Sequence, residues 1–105
     1  MENIILYNEF HIDFSRSYEE QIDSLNEDLF QMDLGDGRLL DIGWYPEYDP
    51  NGFFRVLVIH NGNWDSPECN ISVRSGAELL QAVKQCLCRA GGMPPPTSLD
   101  DFSAP

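Results

Sequence analysis

Positive charge is what this sequence has least of. Six lysines and arginines stand against 18 aspartates and glutamates in 105 residues, a formal net charge of −12. So few cations leave phosphates repelled, which excludes nucleic acid and anionic membranes as direct partners. Long apolar runs are lacking as well. Ile4-Ile5-Leu6-Tyr7 is too short for a signal-peptide core or a membrane span, and Met1-Glu2-Asn3 has no basic character, so a cytoplasmic location is expected. Histidine and cysteine are scarce. His11 and His60 are isolated and no CxxC spacing occurs, which argues against a zinc site; no cofactor or metal is expected. Cys86 and Cys88 fall on different faces of a predicted helix, so free, buried or half-buried thiols are expected rather than a bond between them.

Catalytic signatures are missing too. There is no GxSxG elbow, no P-loop and no GxGxxG; Gly35-Asp36-Gly37 lacks the third glycine and the strand that should precede it. No base is placed beside a cysteine, and choosing two carboxylates for acid–base work among 18 acids would be arbitrary. The sequence reads as a binding protein, not an enzyme.

What is present is a scaffold with its charge on one side. Residues 1–50 carry 13 acidic and two basic side chains, while residues 51–90 carry three and four. Solubility alone would account for an acidic surface, yet acids gathered in one half also suit a basic protein partner. The scaffold centres on Arg38–His60, read as two strands joined at Asp49-Pro50-Asn51-Gly52, where proline, asparagine and glycine supply turn chemistry. Leu40, Ile42 and Trp44 alternate with Leu39, Asp41, Gly43 and Tyr45. In the second strand Phe54, Val56 and Val58 alternate with Phe53, Arg55, Leu57 and Ile59. Both faces of that strand are apolar, as in a central strand, with Arg55 positioned to pair with Asp41 or Glu47.

Around this hairpin the pattern predicts a strand over Ile4–His11 and a helix from Ser17 to about Met32. Ser17 and Glu20 form a capping box, and Tyr18, Ile22, Leu25, Leu29 and Met32 form the apolar stripe. Glu19, Glu20, Asp23, Glu27 and Asp28 would then share the outer side of that helix. Asn61-Gly62 signals a turn before a strand at about Cys69–Arg74. Ser75 and Glu78 cap a second helix ended by Gly91-Gly92. The expected fold is α+β: one domain, residues 1–90, with an antiparallel sheet of about four strands in the order β-α-β-β-β-α and two packing helices. Residues 91–105, rich in proline, are expected to form a flexible tail.

Trp44, Tyr45, Tyr48 and Trp64 lie among Asp41, Glu47 and Asp49 along the chain, and aromatic residues ringed by acids suit the anchoring of a basic partner. Trp44 shares a face with Leu40 and Ile42 and is assigned to the core. Trp64 could fill the core in the same way. The candidate binding residues are thus Glu19, Glu20, Asp23, Glu27 and Asp28 on the helix, with Tyr45, Glu47, Tyr48 and Asp49 at the hairpin tip.

Asp49–Ile59 (DPNGFFRVLVI), Trp64–Pro67 (WDSP) and Ser75–Leu80 (SGAELL) give a combination, across about residues 40–90, that resembles the small immunity proteins of bacterial polymorphic-toxin and contact-dependent growth inhibition systems. The resemblance implies a cytoplasmic inhibitor that binds a co-encoded toxin domain, as a monomer or a 1:1 complex. Many such toxins are nucleases and basic, which an acidic inhibitor would complement. Interface residues differ between cognate pairs, so the resemblance brings no contact residue with it. An acidic mimic of nucleic acid, or another regulatory protein-binding module, is the alternative.

Overall fold

Residues 4–89 are described in the computed structural model of the protein, and the hairpin expected at Arg38–His60 is its centre. Five strands, Ile4–Asn8 (β1), Phe30–Gly35 (β2), Arg38–Tyr45 (β3), Phe53–His60 (β4) and Cys69–Val73 (β5), precede one helix, Gly76–Arg89 (α1). The strands form a single antiparallel sheet in the order β1-β2-β3-β4-β5. β3 and β4 pair over their whole length, from Arg38 opposite His60 to Tyr45 opposite Phe53.

The alternation of β3 and β4 sorts side chains as expected. Leu40, Ile42, Trp44, Phe54, Val56 and Val58 are buried on one face, joined by Phe30 of β2 and Cys69 of β5. Leu79, Ala82, Val83, Cys86 and Leu87 of α1 close the core over β4 and β5. The Ser75–Glu78 capping box forms: the Glu78 amide donates to Ser75 Oγ (3.1 Å) and the Ser75 amide to Glu78 Oε1 (3.2 Å). Phe10, Ile12, Leu25 and Leu29, from the long connection between β1 and β2, complete the core. Trp44 is fully buried against Phe54 and Tyr18, and its indole N–H donates to the Asp49 carbonyl at 2.7 Å.

The first expected helix is not there. Glu19–Ser24 is a short 3-10 turn, and Phe30–Gly35 is a strand. Ser17 and Glu20 do make their reciprocal cap, with the Glu20 amide donating to Ser17 Oγ at 3.2 Å and Ser17 N–H and O–H donating to Glu20 Oε1. The segment kinks at Gln21, whose backbone is non-helical and whose buried side-chain amide exchanges hydrogen bonds with the Asp13 backbone, both at 2.8 Å. Beyond it, Phe30, Met32 and Leu34 alternate with Gln31, Asp33 and Gly35, a period of two that the wider Leu25–Leu29–Met32 spacing obscures. As a strand, this segment pairs with the outer edge of β3, which a helix would have left bare. Among the described residues the sheet therefore has five strands instead of about four, with one packing α-helix instead of two. Asp36-Gly37 forms the turn between β2 and β3, with positive φ at Gly35, Asp36 and Gly37.

β1 ends at Asn8, short of His11, and pairs with β2. The β3–β4 connection is longer than a tight turn. It contains two successive turns closed by Asp49 N–H to Pro46 O (3.2 Å) and Gly52 N–H to Asp49 O (2.9 Å), and the Tyr45–Pro46 peptide is cis. Gly52 is needed there for close approach, because a Cβ would run into the Tyr45 carbonyl and the Trp44 indole; the residue with positive φ is Tyr48. Finally, Cys69 and Cys86 are not free thiols. They form a disulfide between β5 and α1 with Cα atoms 5.6 Å apart, and Cys88 is the exposed, unpaired cysteine. Cys86 is turned toward the facing strand, a neighbour that spacing within the helix does not reveal. The cysteines therefore give no support to a cytoplasmic location. Among the described residues no helix is long and apolar enough to cross a membrane. The expected tail, 91–105, lies outside the described residues.

Candidate functional site

The second face of the sheet, turned away from the core cluster, is built by the other half of the same alternation. Register aligns Tyr7 of β1, Gln31 of β2, Asp41 of β3 and Leu57 of β4 in one row across it. Arg55 lies one step and Tyr45 two steps further toward the β3–β4 tip, and the Arg55 guanidinium stacks 4.4 Å from the Tyr45 ring centroid. The expected pairing of Arg55 with Asp41 or Glu47 does not occur. Among the described residues the ion pairs are Arg38 and His60 with Glu68, and His11 with Glu9.

Asp41 is the unusual member of this face. It is only 3% exposed, and the hydrogen bond its carboxylate receives is from a neutral group, the Gln31 side-chain amide at 2.9 Å. Burial pushes its pKa up, the Gln31 hydrogen bond opposes this, and the nearby Asp28 carboxylate pushes it up further. Burying a carboxylate beside another acid with only an amide for company costs free energy, and a cation from outside would relieve that cost.

Backbone geometry brings further acids to the same corner. Residues 25–29 run against the end of β3: the Trp44 amide donates to Asn26 O (2.8 Å), the Leu29 amide to Ile42 O (3.0 Å) and the Tyr48 amide to Leu25 O (2.8 Å). The Glu27 amide donates to Glu47 Oε2 at 3.3 Å. This approach is possible because residue 43 is glycine, since a Cβ there would occupy the position of the Glu27 carbonyl. Asp28 raises the pKa of Tyr7 and Tyr45 as well as of Asp41, in each case behind the larger effect of burial. Asp28 also lines a shallow open groove of about 370 Å³ with Leu6, Tyr7 and Gln31. The corner thus holds Glu27, Asp28, Asp41 and Glu47 around Tyr7 and Tyr45, with Tyr48 standing out at 51% exposed.

The two sets of expected site residues are therefore partly united and partly separated. Glu27 and Asp28 join Tyr45, Glu47 and Tyr48, although on an irregular segment and not on a helix. Glu19, Glu20 and Asp23 are exposed on the 3-10 turn, where Glu20 is engaged in the cap with Ser17. Asp49 is half-buried and occupied in the turn, where its Oδ1 accepts from the Asn51 amide at 2.9 Å. Trp44 is in the core, as assigned. Trp64 is 50% exposed in the β4–β5 connection, at the end of the sheet opposite Tyr48, so it neither fills the core nor joins the site.

Tyr7, Gln31 and Asp41 belong to the site and were not among the expected residues. Asp41 carried a signal, a lone acid on a strand with apolar neighbours, but Gln31 was hidden inside the supposed helix. The apolar cleft between β5 and α1, lined by Ile71, Val73, Ala77 and Ala82, has only Glu78 as a charged neighbour, and Glu78 is held in the α1 cap. Among the described residues no three His, Cys, Asp or Glu side chains are grouped as a metal site requires. Compared with protein-family models, curated proteins and solved structures, the chain matches none.

Proposed function

We propose that the protein is an inhibitor of the immunity type, which captures a basic toxin domain through the acidic corner formed by Glu27, Asp28, Asp41, Glu47, Tyr45 and Tyr48. The observation that carries this reading is Asp41, a buried carboxylate that among the described residues receives an amide hydrogen bond alone and sits beside a second acid. A lysine or arginine entering at this corner would meet a desolvated anion, the strongest kind of protein acceptor, while the half-exposed tyrosines would cover its aliphatic stem. Glu27, Glu47 and the acids of the 3-10 turn would draw the cation in and speed encounter; the aromatic contacts would set the lifetime of the complex. No observation favours the nucleic-acid mimic, which needs a regular row of acids on the helix that Gln21 interrupts.

We place the encounter in the cytoplasm, where reduction of the Cys69–Cys86 bond would remove its contribution and leave core packing to hold β5 to α1 in a less stable fold. The reading is tested by capturing partners from the native cell extract at low salt on the immobilised protein, alongside an Asp28→Lys/Glu47→Lys variant. The expected result is a basic protein retained by the first, released by salt and absent from the second. Recovery of equal amounts on both would remove the acidic corner from the interface.

A further inference from the structure

Beside the acidic corner the edge of the sheet is apolar and carries its own groove. The ladder pairs Ile5 with Met32 and Tyr7 with Gln31, so Leu6 is the extra residue of a bulge. Leu6 is 57% and Tyr7 39% exposed, and with Asp28 and Gln31 they line the open groove of about 370 Å³. Among the described residues no lysine or arginine lines it, and Asp28 has no ion-pair partner. Gln31 ties this groove to the buried acid behind it. An ionised carboxylate only accepts, so Asp41 fixes which end of the Gln31 amide turns toward it: the N–H donates to Asp41 Oδ1 at 2.9 Å. The amide oxygen is left to accept from elsewhere, and among the described residues it has no donor. Donation to a carboxylate also strengthens that oxygen as an acceptor.

We propose that this groove takes a single lysine side chain of the basic partner, its stem along Leu6 and Tyr7 and its ammonium between the Asp28 carboxylate and Gln31 Oε1. The inference rests on the acidic corner as the capture surface and names the residue captured there. Charge complementarity selects a cation, and the layout of acceptors selects lysine over arginine. Asp28, Gln31 and the Tyr7 hydroxyl offer oxygens on three separate residues, which suits three N–H donors fanned from one point. A guanidinium is a flat fork, suited to bidentate pairing or to an aromatic face. The Tyr45 face is already taken by Arg55. A four-carbon stem lying on the exposed leucine and tyrosine gives this apolar edge an occupant that needs no ladder hydrogen bonds.

Titration of the isotope-labelled protein with Nα-acetyl-lysine methylamide, followed in its amide NMR spectrum, tests this. The matching arginine and norleucine derivatives are run beside it, norleucine having the lysine stem without the charge. The lysine derivative should bind saturably at roughly 1–10 mM, as a lone side chain can. It should shift the Gln31 side-chain amide and the backbone amides of Leu6, Tyr7 and Asp28. The arginine derivative should bind at least about threefold more weakly, and the norleucine derivative should give no saturable shift. Asp28→Asn should weaken the lysine derivative about tenfold, a charge-assisted hydrogen bond being replaced by a neutral one. Leu6→Ser, at an exposed position, should weaken it at an unchanged melting temperature. The probe needs no captured partner, so its failure and the failure of the capture experiment are read separately. Arginine binding as tightly as lysine, norleucine shifting the same amides, shifts centred on Glu19–Ser24, no saturable shift at all, or an Asp28→Asn variant that binds like the wild type would each overturn the proposal.

Discussion

Asp41→Asn should make this protein more stable. The side chain is buried, and in the fold its pKa is raised from the ordinary carboxyl value of 3.8, chiefly by burial. A raised carboxyl pKa means that the folded state holds the proton more tightly than the unfolded chain. The penalty is therefore absent below the unfolded pKa, grows as pH rises through it, and is complete above the folded pKa. Asparagine has the same shape, keeps an oxygen to accept the Gln31 hydrogen bond, and carries no charge to desolvate or to repel Asp28. The gain at neutral pH should be about 1 kcal/mol, the scale on which single buried polar groups act. For a domain of this size that raises Tm by roughly 4–8 °C. Urea unfolding of the two proteins across a pH series is the assay, and the two curves should converge as pH falls toward 3.8. The same substitution should weaken binding of a basic partner about tenfold or more, because a charge-assisted hydrogen bond is replaced by a neutral one. A variant less stable than wild type at neutral pH would refute the reasoning, since it would mean that the carboxylate is already compensated within the fold.

Further expectations concern the parts that build this corner. Gly43→Ala should destabilise by about 1–3 kcal/mol, because its methyl group displaces the Glu27 carbonyl. Amide chemical shifts should then change at 25–29 and 44–48 and stay fixed in α1. Reduction of Cys69–Cys86, which closes a separation of 17 residues, should cost about 3 kcal/mol in urea unfolding. No change in the midpoint would mean that packing alone holds β5 to α1. Tyr48→Ala, at an exposed position, should leave Tm within about 1 °C and shorten the lifetime of the captured complex; an unchanged off-rate would remove Tyr48 from the anchors.

Much of the sheet could be read directly because its pattern was local. β3 and β4 alternate cleanly, and α1 announces itself through Ser75, Glu78 and its apolar stripe. The stretch from Ser17 to Gly35 differs from its sequence pattern because helical and strand periods overlap there. Leu25 and Leu29 are buried for tertiary reasons, Ile22 is exposed, and the bare edge of β3 decides the outcome in favour of a strand. The site was legible in kind but not in membership. Acids and tyrosines at the tip were visible, whereas the union of Glu27 and Asp28 with Asp41 depends on a backbone approach that only Gly43 permits. The Cys69–Cys86 bond needed strand and helix in three dimensions, since nothing in the spacing of the two residues marks them as partners.

The central claim is that this corner, and not the acidity of the chain as a whole, receives a cation from a basic protein. The salt dependence of the association rate with the captured partner tests it most directly, comparing wild type with Glu27→Gln/Asp28→Asn/Glu47→Gln and with Glu19→Gln/Asp23→Asn. Steered association of the wild type should fall steeply with ionic strength. Neutralising the corner should slow it at low salt and flatten that slope, while neutralising the 3-10 turn should do so less. Equal slopes for all three proteins would contradict the assignment of the corner as the site of capture.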